Sequence, residues 1–346
     1  YAITLESGEV DAGNDFANYQ MAVKRGKKYE DFNADGMFNG NDVGLENWEI
    51  RAYADDGDGV LSMAEFNAGP AATDLTNSNG NYRLDLGPGD YIIVEVLQNG
   101  WFESPDADAT EVNPNGFGDL GKYGYAISLE SGEVDRNNDF ANFQQAEKKG
   151  IKYEDFNADG MFNGNDAGLQ GWTITAFADA NMDGELQQSE INAGAAASDV
   201  TDANGAYSLL LDPGKYIVVE TLQTDWFESP DADTTQVNPN SLGGFGQYGY
   251  AITLESGEVD AGNDFANFQQ AIKRGTKFHD EDRDGIRDEG EDALAGWEIR
   301  AYADDGDGIL EQAEFDAGPV ATDITNANGI YRFDLNPGDY IVVEVL

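Results

Sequence analysis

One stretch written three times constrains the fold of this chain more than any other feature. YAITLESGEVDAGNDFANYQ begins at Tyr1, YAISLESGEVDRNNDFANFQ at Tyr125 and YAITLESGEVDAGNDFANFQ at Tyr250. A second motif, KYEDFNADGMFNGND, begins at Lys28 and recurs from Lys152, with a diverged copy, KFHDEDRDGIRDEGED, from Lys277. The period is about 125 residues, the size of a domain rather than of a solenoid turn. The phase of the copies gives the expected organisation. Residues 1–20 read as the closing strands of a preceding repeat, 21–145 as repeat one, 146–270 as repeat two, and 271–346 as a third repeat lacking its own closing strands. The chain reads as a window on a longer tandem array.

Within a repeat the hydrophobic period is two. Trp48, Ile50 and Ala52 alternate with Glu49, Arg51 and Tyr53, and Tyr82, Leu84 and Leu86 alternate with Arg83 and Asp85. Tyr91 to Leu97 is almost continuously apolar, as expected for a central strand covered on both faces. Asn79-Gly80 and Gly87-Pro88-Gly89 mark turns. The only helical signal is a turn near Ser62 to Phe66. The expected class is all-β, with tandem Ig-like β-sandwiches.

Charge narrows the function. The chain has 67 acidic and 19 basic residues, a formal charge of −48, one histidine and no cysteine. Nucleic acid and anionic membranes would be repelled by such a surface. A Cys/His zinc site cannot be built, and triad catalysis would rest on His279 alone. No apolar run is long enough to span a bilayer, so no membrane insertion is expected in this window. Hydrophobic residues still make up 40% and aromatics 11%, enough to build cores despite the charge.

The acids are patterned. Asp31, Asn33, Asp35 and Asp42 occupy positions 1, 3, 5 and 12 of a loop with Gly36 at position 6. The same loop recurs as Asp155, Asn157, Asp159, Asp166 and as Asp280, Asp282, Asp284, Glu291. A second loop is complete in repeat two, as Asp179, Asn181, Asp183 and Glu190. It is one residue shorter in repeat one (Asp55, Asp56, Asp58, Glu65) and in repeat three (Asp304, Asp305, Asp307, Glu314). This is EF-hand-like spacing. Alternate residues turn successive oxygens inward, Gly permits the sharp turn, and the distal acid closes the shell of a hard cation. Asp, Asn and Gly also cluster in ordinary turns, but six loops that each keep the distal acid favour Ca2+ as the cofactor. Two carboxylates about 4 Å apart repel by about 1 kcal/mol even in water, so these loops are expected to loosen without metal.

The order of motifs carries a resemblance. GTKFHDEDRDGIRDEGEDALAGWEI, then TDxTNxNGxYRxDLxPGxYIVVEVL, then GWFESPDAD, then LESGEVDxxNDFAN resembles the B-type repeat domains of serine-aspartate repeat adhesins. It is similar also to the collagen-adhesin B-type domains of surface adhesins and pilins. The resemblance covers essentially the whole chain. It implies prealbumin-type sandwiches, stabilised by calcium, in the stalk of a cell-surface protein. It also implies an intramolecular Lys–Asn isopeptide bond assisted by an acid. The residues at the matching places are Lys28, Glu95 and Asn142 in repeat one and Lys152, Glu220 and Asn267 in repeat two. Repeat three offers Lys277 and Glu344 only. The alternative for the same residues is a plain Lys–Glu pair across neighbouring strands, with the Asn capping a turn.

The expected function is therefore non-enzymatic: a calcium-stiffened stalk or fibre in an extracellular adhesin, filament or biofilm matrix protein, at the cell surface or in a secreted fibre. Its expected partners are neighbouring repeats of the same or an adjacent chain. The alternative is an adhesin module whose loops recognise an extracellular protein or glycan of a host. Near-identity of the repeats favours the scaffold.

Overall fold

The computed structural model describes residues 1–104, 106–231 and 233–346. The chain is all-β and forms two compact bodies. One comprises Tyr1–Ala146 with Asp212–Gly214 and Leu254–Glu258; the other comprises Glu147–Leu211, Lys215–Thr253 and Val259–Leu346. No helix among the described residues is long and apolar enough to cross a membrane.

The first body contains β1 (Ala22–Glu30), β2 (Val43–Gly44), β3 (Glu49–Ala54), α1 (Met63–Ala68), β4 (Ala72–Leu75), β5 (Asn81–Leu86) and β6 (Gly89–Val96). These are followed by β7 (Phe102–Glu103), β8 (Thr110–Glu111), β9 (Leu120–Leu129), β10 (Val134–Asp135) and β11 (Phe140–Phe143). Two sheets form. One runs β10-β1-β11-β7, with β2 and β5 also paired to β1; the other runs β4-β3-β6-β9-β8. The entering strand β1 and the closing strand β11 pair in parallel, with Lys28 opposite Phe140 and Glu30 opposite Asn142. Residues 1–20 lie in no assigned strand.

Alternation decides what faces the core. On β5 only Tyr82, Leu84 and Leu86 are buried. They meet Ala22, Ile50, Ala52, Tyr91, Ile93, Tyr125, Leu129 and Phe140 in one inter-sheet core. The other face of β6, Ile92 and Val94, packs with Tyr53, Leu61, Val112 and Leu120, against which Phe66 of α1 rests. Strand β6 is thus covered on both sides, which explains its unbroken apolar run. Each such side chain contributes about 1.5–3 kcal/mol on burial. The odd-numbered face of β6 continues past Tyr91 and Ile93 to Glu95, so the same alternation drives a carboxyl into the sandwich.

The short helix at Ser62 to Phe66 is fixed by a reciprocal cap. Ser62 Oγ accepts from the Glu65 backbone N–H, and the Glu65 carboxylate accepts from the Ser62 N–H. Gly80 closes the β-turn before β5 with φ 77°, and a Cβ there would fall on the Lys28 carbonyl. Only glycine suits that position.

The second body repeats this plan. It holds β12 (Ala146–Glu154), β13 (Ala167–Gly168), β14 (Thr173–Ala178), α2 (Gln188–Ala193), β15 (Ala197–Val200), β16 (Ala206–Leu211), β17 (Gly214–Thr221), β18 (Phe227–Glu228), β19 (Phe245–Leu254), β20 (Val259–Asp260) and β21 (Phe265–Phe268). The sheets run β13-β12-β21-β18, with β16 and β20 also on β12, and β15-β14-β17-β19. β22 (Ala271–Thr276), β23 (Glu298–Ala303), α3 (Gln312–Ala317), β24 (Ala321–Ile324), β25 (Ile330–Leu335) and β26 (Tyr340–Glu344) follow. They form a β22-β25 pair and a β24-β23-β26 sheet around Ile299, Ala301, Phe333 and Leu335.

Candidate functional site: a buried lysine cluster and six acidic loops

Lys28 and Asn142 are fully buried and Glu95 is 1% exposed. β1 supplies the lysine, β6 the glutamate and β11 the asparagine, each from its inward face. Lys28 Nζ stands 3.0 Å from Glu95 Oε2 and makes a close contact with Asn142 Oδ1. The amine also lies 4.4 Å from the centre of the Trp48 ring, and Trp101 packs edge-on against Trp48. Asn142 Nδ2 has no hydrogen-bond partner. Burial lowers the Lys28 pKa from 10.5 to about 8, against the opposing pull of Glu95. Burial likewise raises the Glu95 carboxyl, with Lys28 opposing. Desolvation pushes both groups toward their neutral forms. A neutral amine is a nucleophile, and a neutral carboxyl can donate a proton.

The second body holds the same cluster. Lys152 Nζ is 3.0 Å from Glu220 Oε2 and in close contact with Asn267 Oδ1. Burial lowers Lys152 to about 8 and raises Glu220. Asn267 Nδ2 again lacks a partner. In the third set of strands Lys277 Nζ pairs with Glu344 Oε2 at 2.6 Å, but both side chains are partly exposed.

In three loops the first acid accepts from the backbone N–H groups at positions 5 and 6: Asp31 from Asp35 and Gly36, Asp155 from Asp159 and Gly160, and Asp179 from Asp183 and Gly184. Asp280 accepts instead from Arg283 and Gly285, and in the shortened loops Asp55 and Asp304 accept from Gly59 and Gly308. The twelfth-position acid accepts from positions 2 and 9. Asp42 takes the N–H groups of Phe32 and Asn39, Asp166 those of Phe156 and Asn163, and Glu190 those of Ala180 and Gln187. Glu291 takes those of Glu281 and Asp288. In the shortened loops Glu65 takes Asp56 and Ser62, and Glu314 takes Asp305 and Glu311. One carboxylate thereby clips both ends of each loop.

Three carboxylates come within 4.8 Å of one another in Asp55/Asp56/Glu65, Asp304/Asp305/Glu314, Asp280/Asp282/Glu291 and Asp282/Asp284/Asp288. Among the described residues, no such group of three forms from Asp31, Asp35 and Asp42, from Asp155, Asp159 and Asp166, or from Asp179, Asp183 and Glu190. Asp58 and Asp307 also stand outside these groups; they accept the N–H of Val60 and Ile309. Asn33 and Asn157 point their amide nitrogens at Asp35 and Asp159, and Asn181 does so at Asp183, leaving amide oxygen as the ligand each would offer. Hard oxygen donors, mostly anionic, in a twelve-residue ring suit Ca2+ better than a softer metal.

Two contributors escaped the sequence reading. Position 9 is polar throughout. Asn39 and Asn163 bond Asp35 and Asp159, holding those acids below the ordinary range, and Asp288 joins a carboxylate group outright. Its signal was the loop spacing itself, which assigns a ninth-position ligand. Ser104 donates to Asp31 Oδ2 at 2.6 Å, and Ser229 to Asp155 Oδ2 at 2.6 Å, from 73 and 74 residues away. No local pattern announces them.

No family model matches the chain. It is similar to serine-aspartate repeat-containing protein F of Staphylococcus epidermidis, 26% identical over 333 residues, covering 91% of this chain and 17% of that protein. It is similar also to serine-aspartate repeat-containing protein D of Staphylococcus aureus (strain Newman), 24% identical over 297 residues, covering 82% of this chain and 20% of that protein. Its homologues are thus serine-aspartate repeat-containing proteins, of whose length it spans a fifth or less. Among solved structures, BcpA, the major pilin subunit of Bacillus cereus, matches with 11% identity and a TM-score of 0.35, over 94% of this chain and 88% of that one.

Proposed function

We propose that this chain is a load-bearing stalk segment of an extracellular surface protein or fibre, without turnover chemistry, whose sandwiches are locked by Lys–Asn amide bonds and by Ca2+. The observation that carries this reading is the buried Lys–Glu–Asn cluster, built in each body from the corresponding three strands. Neutral Lys28 Nζ attacks Asn142 Cγ while protonated Glu95 polarises the amide; Glu95 passes its proton to the departing nitrogen and takes one back from the attacking nitrogen. Ammonia leaves and a secondary amide remains. Lys152, Glu220 and Asn267 do the same. The bond joins the strand that enters a repeat to the strand that closes it, and these already pair in parallel. Tension applied at the two ends of a repeat would then run through an amide rather than peel hydrogen bonds apart.

Calcium has a second place in this reading. Filling the six loops would neutralise clustered carboxylates and bring the chain to about −36, still strongly anionic. Typical affinities of extracellular calcium modules, about 10⁻⁴–10⁻³ M, fit a site filled outside the cell. The resemblance to repeat adhesins supports a surface location and neighbouring repeats as partners.

Intact mass of the full chain, with melts in calcium and in chelator, tests both parts. The expected mass is short of the sequence by at least two ammonias, one for each buried cluster. A full sequence mass would reduce the clusters to ion pairs. A melt indifferent to chelator would remove calcium from the reading.

A further inference from the structure

A second lysine of β1 faces the same interior. Lys24 lies four residues before Lys28, its side chain is fully buried, and its Nζ makes a close contact with Asn138 Oδ1. Asn138 belongs to the loop between β10 and β11, and three anchors hold that loop against β1. Tyr82 Oη donates to the Asn138 carbonyl at 2.7 Å, and Tyr125 Oη to the Asp139 carbonyl at 2.5 Å. The Lys27 backbone N–H donates to Asp139 Oδ1 at 2.7 Å. Gly26 permits the approach, because a Cβ there would collide with the Asn138 carbonyl and the Tyr82 ring. The carboxamide is therefore presented to the amine by a built scaffold. Asp135, the register partner of Lys24, places Oδ2 3.4 Å from the same Nζ.

We propose that Lys24 and Asn138 form a further amide cross-link in the first body, at a position separate from Lys28 and Asn142. It extends the chemistry proposed above but uses neither residue of that pair. The neutral amine of Lys24 bonds to Asn138 Cγ, and the Cγ–Nδ2 bond breaks. Asp135 takes one proton from the attacking nitrogen and returns it to the leaving nitrogen, which departs as ammonia. Burial favours the neutral amine, lowering the Lys24 pKa against the pull of Asp135 and Asp139. The second body supplies a built-in control. Tyr207, Tyr250 and the Ile151 N–H hold the equivalent loop in the same way. There Lys148 Nζ turns to the Lys149 carbonyl at 2.8 Å and lies 3.6 Å from Asp260 Oδ1, with no hydrogen bond to the Asn263 side chain.

The test is peptide mapping of the full chain by mass spectrometry. Trypsin followed by cleavage before aspartate separates Asn138 from Asn142 at Asp139. The expected result is a branched peptide joining Lys24 to Asn138, short of one ammonia, with Lys148 and Asn263 in linear peptides. The intact chain then lacks three ammonias rather than two. Asn138→Ala should restore one ammonia and leave the Lys28 and Lys152 links unchanged. Linear Lys24 and Asn138 peptides of unmodified mass would overturn the proposal. So would a Lys24 link to Asp135, recognised by loss of water instead of ammonia. The Lys28 and Lys152 peptides report separately, so failure here is distinguishable from failure of the stalk reading.

Discussion

Glu95→Gln changes one atom of the buried cluster in the first body and leaves the second body as an internal control. An amide between Lys28 and Asn142 closes a loop whose ends are 114 residues apart. The chain-entropy relation for a cross-link of that span gives about 5 kcal/mol of stabilisation, taken out of the unfolded state. At roughly 3–5 °C per kcal/mol for a domain of this size, loss of the bond lowers the melting temperature of the first body by about 15–25 °C. Stability alone does not decide the matter. If no bond forms, the same substitution strips a buried lysine of its countercharge, which costs about 3–5 kcal/mol. The two accounts separate in the covalent mass and in the unfolded state. With the bond, Glu95→Gln regains one ammonia, and the wild-type chain stays looped in denaturant, with a smaller m-value than the variant. Without it, neither chain has lost an ammonia at this cluster, and the m-value does not change. A wild-type mass equal to the sequence would refute the reasoning outright. A Glu95→Gln chain whose peptide map still shows Lys28 joined to Asn142 would refute the role given to the carboxyl.

The cluster also predicts a pH dependence in a chain that cannot close the bond. In Asn142→Ala, Lys28 stays an amine with a folded pKa near 8 against 10.5 unfolded. Between those values the unfolded state holds the extra proton, so stability rises with pH across that window, by up to about 3 kcal/mol. The cross-linked protein has no amine there to titrate, and denaturant melts at pH 7 and pH 10 should show no such rise from this site. For calcium, a loop with a dissociation constant of about 10⁻⁴ M gains roughly 2 kcal/mol at about 2 mM metal, so calorimetry in calcium and in chelator should differ by several such increments. Asp31→Ala should remove one of them. Gly80→Ala forces a side chain into a left-handed turn against the Lys28 carbonyl. It should cost about 1–3 kcal/mol or more and be visible in the urea midpoint.

What could be read along the chain was periodicity and spacing. The alternation on β5 and the unbroken run of β6 foretell which residues are buried, because strand geometry sends successive side chains to opposite faces whatever the partner. Glu95 was conspicuous for the same reason: a carboxyl on the inward phase of an apolar strand. The loop spacing was legible because its members lie within twelve residues of one another. What stayed hidden depends on strands meeting from far along the sequence. Ser104 reaches Asp31 across 73 residues, and Lys24 meets Asn138 across 114. Lys24 reads like any other lysine in a basic segment until β1 is paired with both β5 and β10, which turns it inward. His279, the one histidine, is well exposed and near Glu281, but it lies past the end of β22 and in no strand.

The lysine cluster and the first acidic loop are mechanically one unit. Asp31 follows Lys28 by three residues, and its backbone N–H donates to the Asn142 carbonyl at 2.9 Å. Ser104 donates its backbone N–H to the Ala141 carbonyl at 2.9 Å while its hydroxyl holds Asp31 Oδ2. The loop's first acid, the closing strand and the buried Asn142 are therefore tied within a few bonds. Asp155, Asn267, Ala266 and Ser229 repeat the arrangement. A cation drawing Asp31 into its shell would fix the end of β1 beside β11 and keep Lys28 against Asn142. An amide formed there would in turn hold the loop ends together and lower the entropy lost when the metal binds. Each would pre-organise the other by restricting the same strand pair, with no contact needed between the amide and the metal ligands.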